Sequence, residues 1–198
     1  MIGFGQQTYV PDDVFEQALI DLGYDNVLDD FVLTANISSV TYLDVGAGVS
    51  SVIQTGDSIL DLTGIEDFIA LEVLNCARNK LTSLDVSQNF NLRMLNSDKN
   101  KLTNLNINNC INLEDLKIED NKLTTLDLTS NINLIEIEMS GNLVTCLDVS
   151  HLSGSTNYYG GFELLCNDNL LEELIIDSAV VILDATNNNL TCRLLTLL

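Results

Sequence analysis

The fold class predicted by this chain is a solenoid: a parallel β-sheet stacked from 21-residue units behind an N-terminal helical cap, either a mostly β rod or an α/β horseshoe. Three observations predict it. Leu71, Leu92, Leu113 and Leu134 each open a segment reading L-x-x-(L/I)-x-(C/I/M)-x-x-N, with Ser97 the one polar intruder at the sixth position. Asparagines close these segments at Asn79, Asn100, Asn121 and Asn142, each 21 residues from the last. A second half-unit then follows, x-(L/V)-x-x-L-(D/N)-(V/I/L), as in Leu81, Leu84-Asp85-Val86. No single unit can bury its leucines, whereas stacked copies share one apolar core.

The elements follow in order. Residues 1–8 read as a signal-peptide remnant or an appended tail, because Met1-Ile-Gly-Phe-Gly lacks a full apolar stretch. Residues 9–38 read as the helical cap. Pro11, Asp12 and Asp13 start a helix, Asp13 and Glu16 have capping-box spacing, Phe15, Leu19 and Leu22 make an apolar face, and Gly23 is a stop signal. Phe31 to Ile37 continues the cap. The array occupies 39–198. Val40-Thr-Tyr-Leu-Asp-Val45 matches Leu81 to Val86 as a second half-unit, and a Gly- and Ser-rich connection leads through Leu60 to Leu71 into four regular units. After Asn142 the next ladder position is Asn169, so a six-residue excess falls in a loop at 151–161; a last unit ends at Asn188. Leu194 to Leu198 is apolar and carries no capping pattern.

These units resemble leucine-rich repeats, specifically the short bacterial class of about 21 residues in which the two halves imitate each other. Val10-Pro-Asp-Asp-Val-Phe-Glu-Gln-Ala-Leu-Ile-Asp-Leu-Gly23 is similar to the cap text of secreted Bacteroidetes surface proteins. The resemblance covers about Tyr9 to Leu190. It implies a fold, a habit of binding, export, and a continuation such as a sorting domain, but no chemistry.

Composition narrows the function classes. With 29 Asp and Glu against 8 Lys and Arg, the formal charge is −21. A nucleic-acid partner is disfavoured, since phosphate recognition needs a basic footprint, and so is an anionic membrane surface. No run of about 18 apolar residues is present to span a bilayer. The five cysteines form no C-x-x-C pattern. Cys76 and Cys166 sit at the buried sixth position, and a bridge from Cys146 to another late cysteine, Cys110, Cys166 or Cys192, is left open.

The ladder asparagines are read as structural, satisfying backbone groups at the turn. Strand alternation sends intervening residues outward, in a strip grading from Val73 and Met94 to Asp115, Lys117, Glu119, Glu136 and Glu138. These, with Tyr158 and Tyr159 on the inserted loop, are the candidate ligand-binding residues. Asp44, Asp85, Asp127 and Asp148, with Asn106, form a second column, expected to bond neighbouring Thr or Ser groups such as Thr82, Thr103, Thr124 and Thr145; bridging by cations such as calcium is the alternative, and no cofactor is expected. Ser58, Asp148 and His151 have the spacing of a GDSL-type esterase, a remote reading because Asp148 belongs to the repeat register. The expected function is a non-enzymatic, secreted or cell-surface module that binds a protein or glycan. The alternative is a spacer or adhesin segment with no ligand of its own.

Overall fold

The computed structural model describes residues 5–48, 57–152, 161–176, 180–191 and, as backbone, 194–196. The cap comprises β1 (Gln7–Tyr9), α1 (Asp13–Asp21), β2 (Phe31–Leu33) and the one-turn helix α2 (Thr34–Ile37). β1 pairs antiparallel with β2, so Gln7 and Thr8, expected in a tail, belong to the cap. Thr8 is buried and its Oγ1 donates to Asp67 Oδ2 at 2.5 Å. Gly64 makes this approach feasible: its φ is 103°, and a Cβ there would lie 2.8 Å from Tyr9 O.

The expected capping box at Asp13 and Glu16 does not form. Asp12 caps α1, its Oδ1 accepting from Val14 N and Phe15 N at 3.0 Å, while Oδ2 accepts from Leu60 N and Asp61 N. Glu16 is fully buried, and its two oxygens take the N–H groups of Asp29, Asp30 and Phe31. Three donors compensate a carboxylate that burial alone would penalise. Phe15, Ala18 and Leu19 close the end of the core, with Phe15 stacked on Phe68. Leu22 lies beyond the helix end and is partly exposed.

The remaining strands are β3 (Tyr42–Asp44), β4 (Val73–Asn75), β5 (Ser83–Asp85), β6 (Met94–Asn96), β7 (Asn104–Asn106), β8 (Asp115–Lys117), β9 (Glu136–Glu138), β10 (Cys146–Asp148), β11 (Phe162–Leu165), β12 (Glu173–Ile176), β13 (Val180–Asp184) and β14 (Leu194–Thr196). Among the described residues β3, β4, β6, β8, β9, β11 and β13 form one seven-stranded parallel sheet, the front. The back is in two pieces, β5–β7 and β10–β12–β14, and residues 124–128 between them carry no strand. The fold is a leucine-rich repeat solenoid, mostly β. Leu43, Leu74, Leu95, Leu116, Ile137 and Leu164 stack in register along the front, all fully buried.

Val40 to Val45 departs from its expected place. It folds as a front strand, Leu43 beside Leu74, and Ile59 takes the position beside Lys80, whose N–H donates to Ile59 O at 3.0 Å. The two halves of a unit carry the same apolar spacing, so the text of this segment fits either side.

Six of the seven front strands, all but β3, are followed by one left-handed residue: Arg78, Lys99, Asp120, Gly141, Asp168 and Asn187 have φ between 51° and 73°. The asparagine that follows is buried or half-buried and bonded on both sides. Asn121 is representative: Oδ1 accepts from Leu102 N at 2.9 Å, and Nδ2 donates to Ser97 O and Ile118 O at 3.0 and 3.2 Å. Asn79, Asn100, Asn142, Asn169 and Asn188 repeat the arrangement. A second buried column on the opposite edge escaped the sequence reading. Asn131 Nδ2 donates to Ile107 O and Cys110 O, Asn89 Nδ2 to Ile65 O and Phe68 O, and Cys110 Sγ lies 3.2 Å from Val86 O. One rung further on, the exposed His151 takes the corresponding contact, its Nε2 3.0 Å from Leu128 O.

The four described cysteines are free thiols, and Cys192 lies outside the described residues. Burial pushes Cys76 and Cys166 up to about 12 and Cys110 to about 11. Of these four, only Cys146, which is exposed, should react with a chromogenic disulfide at pH 8 in the folded protein; mass mapping of adducts before and after urea checks this. Asn121→Ala strands an N–H and two carbonyls in the core and should cost about 3 kcal/mol in urea unfolding. Asn112→Ala, which removes one solvent-exposed bond to Phe90 O, should cost less than about 0.5 kcal/mol.

Candidate functional site

The period places the outward side chains in columns about 4.8 Å apart per rung. Tyr42, Val73, Met94, Asp115, Glu136 and Glu163 share the first column, and Asp44, Asn75, Asn96, Lys117, Glu138 and Leu165 the second. Met94, Asp115, Lys117, Glu136 and Glu138 are thereby brought together on three adjoining rungs, with Glu119 two residues beyond Lys117. Tyr158 and Tyr159 lie outside the described residues.

This strip is not a row of free carboxylates. Lys117 Nζ donates to Glu136 Oε1 at 2.9 Å and Glu138 Oε1 at 2.5 Å, and stands 3.9 Å from Asp115 Oδ1. Burial opposes the Lys117 charge, but the bonds to Glu138 and Glu136 outweigh it and hold the ammonium above its ordinary pKa. A bond from Glu138, then the bonds from Lys117, lowers Glu136, while burial raises Glu138. Asp115 is also raised by burial, and its Oδ1 is buried with no hydrogen bond. Burial likewise raises Glu119 and Asp98, although Asp98 Oδ1 accepts from Glu119 N at 2.7 Å.

Two grooves open on this face. One of about 310 Å³ has Val73, Met94 and Ile135 as apolar lining and Glu72, Asp115 and Glu136 as acidic rim, with Arg93 held on Glu114 at 2.9 Å. The other, about 340 Å³, lies at the trailing edge where the strands end. Asp44, Asn75, Asn96 and Asp98 line it beside Arg78 and Lys99. The sequence reading did not single out this second groove, nor the exposed apolar row Ile69, Phe90, Ile111 and Ile132 on the leading edge. Both follow the same period, so their signal was present in the text.

The back column bonds locally. Asp127 Oδ1 accepts from the N–H and hydroxyl of Thr129, and Asp148 Oδ1 from those of Ser150; Asp85 accepts from Ser87 N and Asn106 Nδ2. The partners sit two residues after the carboxylate rather than three before, because the chain turns there and returns its N–H to the side chain. These bonds lower Asp127 and Asp148; Asp85 is lowered too, its bonds overcoming the burial that opposes them. Asp44 does not join this column, since β3 is in the front sheet. The esterase relay is not assembled: Asp148 Oδ1 and His151 Nε2 are engaged with Ser150 and Leu128, and Ser58 stands on the rung of Ile59, four rungs or roughly 19 Å away.

No family model matches the chain, and no curated protein matches it in sequence. Solved structures do. The functional domain of InlJ from Listeria monocytogenes, which includes a cysteine ladder, is 27% identical over 98% of this chain and 50% of its own length, with a TM-score of 0.68. The leucine-rich repeat protein LIC12759 of Leptospira interrogans is 20% identical over 79% of this chain and 45% of its own, with a TM-score of 0.54. Internalin C2 of Listeria monocytogenes is 18% identical over 97% and 93%, with a TM-score of 0.51. The chain has the leucine-rich repeat fold of these bacterial proteins, and it spans about half the length of the first two.

Lys117→Gln should make Glu136 titrate at higher pH, read from its carboxyl carbon by NMR. The sign follows from Glu136 being lowered in the folded chain: its stabilisation is present above its unfolded pKa and is lost as pH falls through the folded value. The variant should therefore lose its advantage over low pH earlier than the parent.

Proposed function

We propose that this chain is a non-enzymatic recognition module of an exported or cell-surface protein, and that it takes a protein ligand on the front sheet. The observation that carries this reading is the groove at Met94. An apolar lining of Val73, Met94 and Ile135 beside the carboxylates of Asp115 and Glu136 suits a side chain with an aliphatic stem and a cationic head, as in lysine or arginine. Asp115 Oδ1, buried without a hydrogen bond, gains a donor when such a head group arrives. The seven-stranded sheet supports the reading by holding these groups on a rigid platform. The inserted loop at 151–161, with Tyr158 and Tyr159, belongs to the same proposal as a second contact.

The experiment is capture from cell-surface extracts followed by affinity measurement on the recovered protein. Glu136→Lys with Glu138→Lys should weaken binding by about tenfold or more, since like charges then face the ligand. Unchanged capture by this folded variant rejects the front sheet as the binding face.

A further inference from the structure

Only 8 Lys and Arg stand against 29 Asp and Glu in this chain, yet five of the eight lie on one edge. Arg78 and Lys99 immediately precede the ladder residues Asn79 and Asn100; Lys80, Lys101 and Lys122 immediately follow Asn79, Asn100 and Asn121. The buried amides fix the backbone between them, so the repeat stacks these cations along the trailing edge about 4.8 Å apart per rung. All five are exposed. The ion pairs among the described residues belong to Arg93 and Lys117, and none to these five. In a molecule of such negative charge, five exposed cations on one edge are a local concentration of positive charge, although Asp98 and Glu119 lie within electrostatic reach of Lys99.

The groove beside the row has a different chemistry. Asn75 Nδ2 donates to Asp44 Oδ1, Asn96 Oδ1 accepts from Asp98 N, and Asp98 Oδ1 accepts from Glu119 N. These bonds orient the four side chains and leave Asn96 Nδ2 and the second oxygen of Asp98 with unused capacity. Two carboxylates inside repel an anion placed deep, but they accept readily from hydroxyl groups. Arg78 and Lys99 stand at the same groove and favour an anion there. Its volume of about 340 Å³ falls in the range of small-ligand sites. Tyr42, exposed and two residues before Asp44 on the same strand face, stands outside the groove with its hydroxyl 3.5 Å from Asp44 Oδ2.

We propose that the trailing edge binds an anionic polysaccharide, a chain of sugars bearing carboxylates, with one sugar in the Asp44–Asn75–Asn96–Asp98 groove and its neighbours along Lys80, Lys101 and Lys122. A ligand for this surface must bring hydroxyl groups inward and negative charge to the rim, then continue along a row of cations. A uronate polymer does all three. A phosphate polymer or an acidic peptide supplies charge without the hydroxyl groups that Asp44 and Asp98 call for.

Isothermal titration of the full chain with oligogalacturonate tests this, against a neutral cello-oligosaccharide of equal length and polyglutamate of equal charge. Oligogalacturonate should bind, and more weakly as ionic strength rises. Arg78→Asn with Lys99→Asn, which keeps a residue tolerant of the left-handed turn, should weaken binding at least about tenfold. Lys80→Gln, Lys101→Gln and Lys122→Gln together should flatten the salt dependence; circular dichroism verifies that both variants stay folded. Equal binding of polyglutamate overturns the sugar assignment, equal binding of the neutral sugar overturns the role of the cations, and absence of oligogalacturonate binding overturns the proposal. None of these substitutions touches the Met94 groove, so the result is independent of capture by the front sheet.

Discussion

One asparagine amide per rung holds this molecule together. A chain that leaves a strand through a left-handed residue turns one N–H and two carbonyls toward the interior. Left unpaired in the interior, each would cost about 1–3 kcal/mol, comparable to what burying one leucine contributes. An amide has an acceptor and two donors on one rigid plane, which matches the need. The match also crosses rungs: Asn121 accepts from the rung of Leu102 and donates to that of Ser97. Each unit is thus completed by its neighbours, and stacking is enforced by polar bonds as well as by leucine burial.

Because the core is committed to leucines and amides, the outward columns are free to differ. The front sheet uses this freedom unevenly. Around Lys117 three carboxylates gather on one ammonium, partly withdrawn from water. Toward the first rungs the same columns become amides and aliphatic groups, and charge moves to the trailing edge. Two chemically distinct grooves consequently stand on one sheet, one apolar with an acidic rim and the other polar with a basic one.

Period, strand positions and buried faces were legible in the text because they are local and repeated. The ladder from Asn79 to Asn188 and the outward strip at Met94, Asp115 and Glu138 could be read by alternation alone. Val40–Val45 could not, since its apolar spacing fits both halves of a unit and only the partner strand decides. The capping role of Asp12 was hidden by Asp13 beside it, and the fate of Glu16 depends on a loop 13 residues away. The second column, Asn89, Cys110 and Asn131, was concealed by its middle member, a thiol standing where its neighbours have amides. Lys117 was legible as a position but not as the hub of an ion cluster, because side-chain reach across rungs leaves no trace in spacing. The basic edge was masked by the sum: a net charge of −21 says nothing about where the few cations stand.

The interruption of the back sheet at residues 124–128 makes the rod mechanically two-sided. The front is a continuous ladder of parallel hydrogen bonds along the axis, and it resists stretching like a stiff ribbon. The back is two short ladders with a seam between them, where neighbouring units are joined by side-chain packing instead of strand bonds. The backbone bonds from Lys122 N to Leu102 O and from Leu143 N to Leu123 O still tie the rungs on either side of that seam. The outward columns from Tyr42 to Glu163 thus stand on the side whose ladder is unbroken.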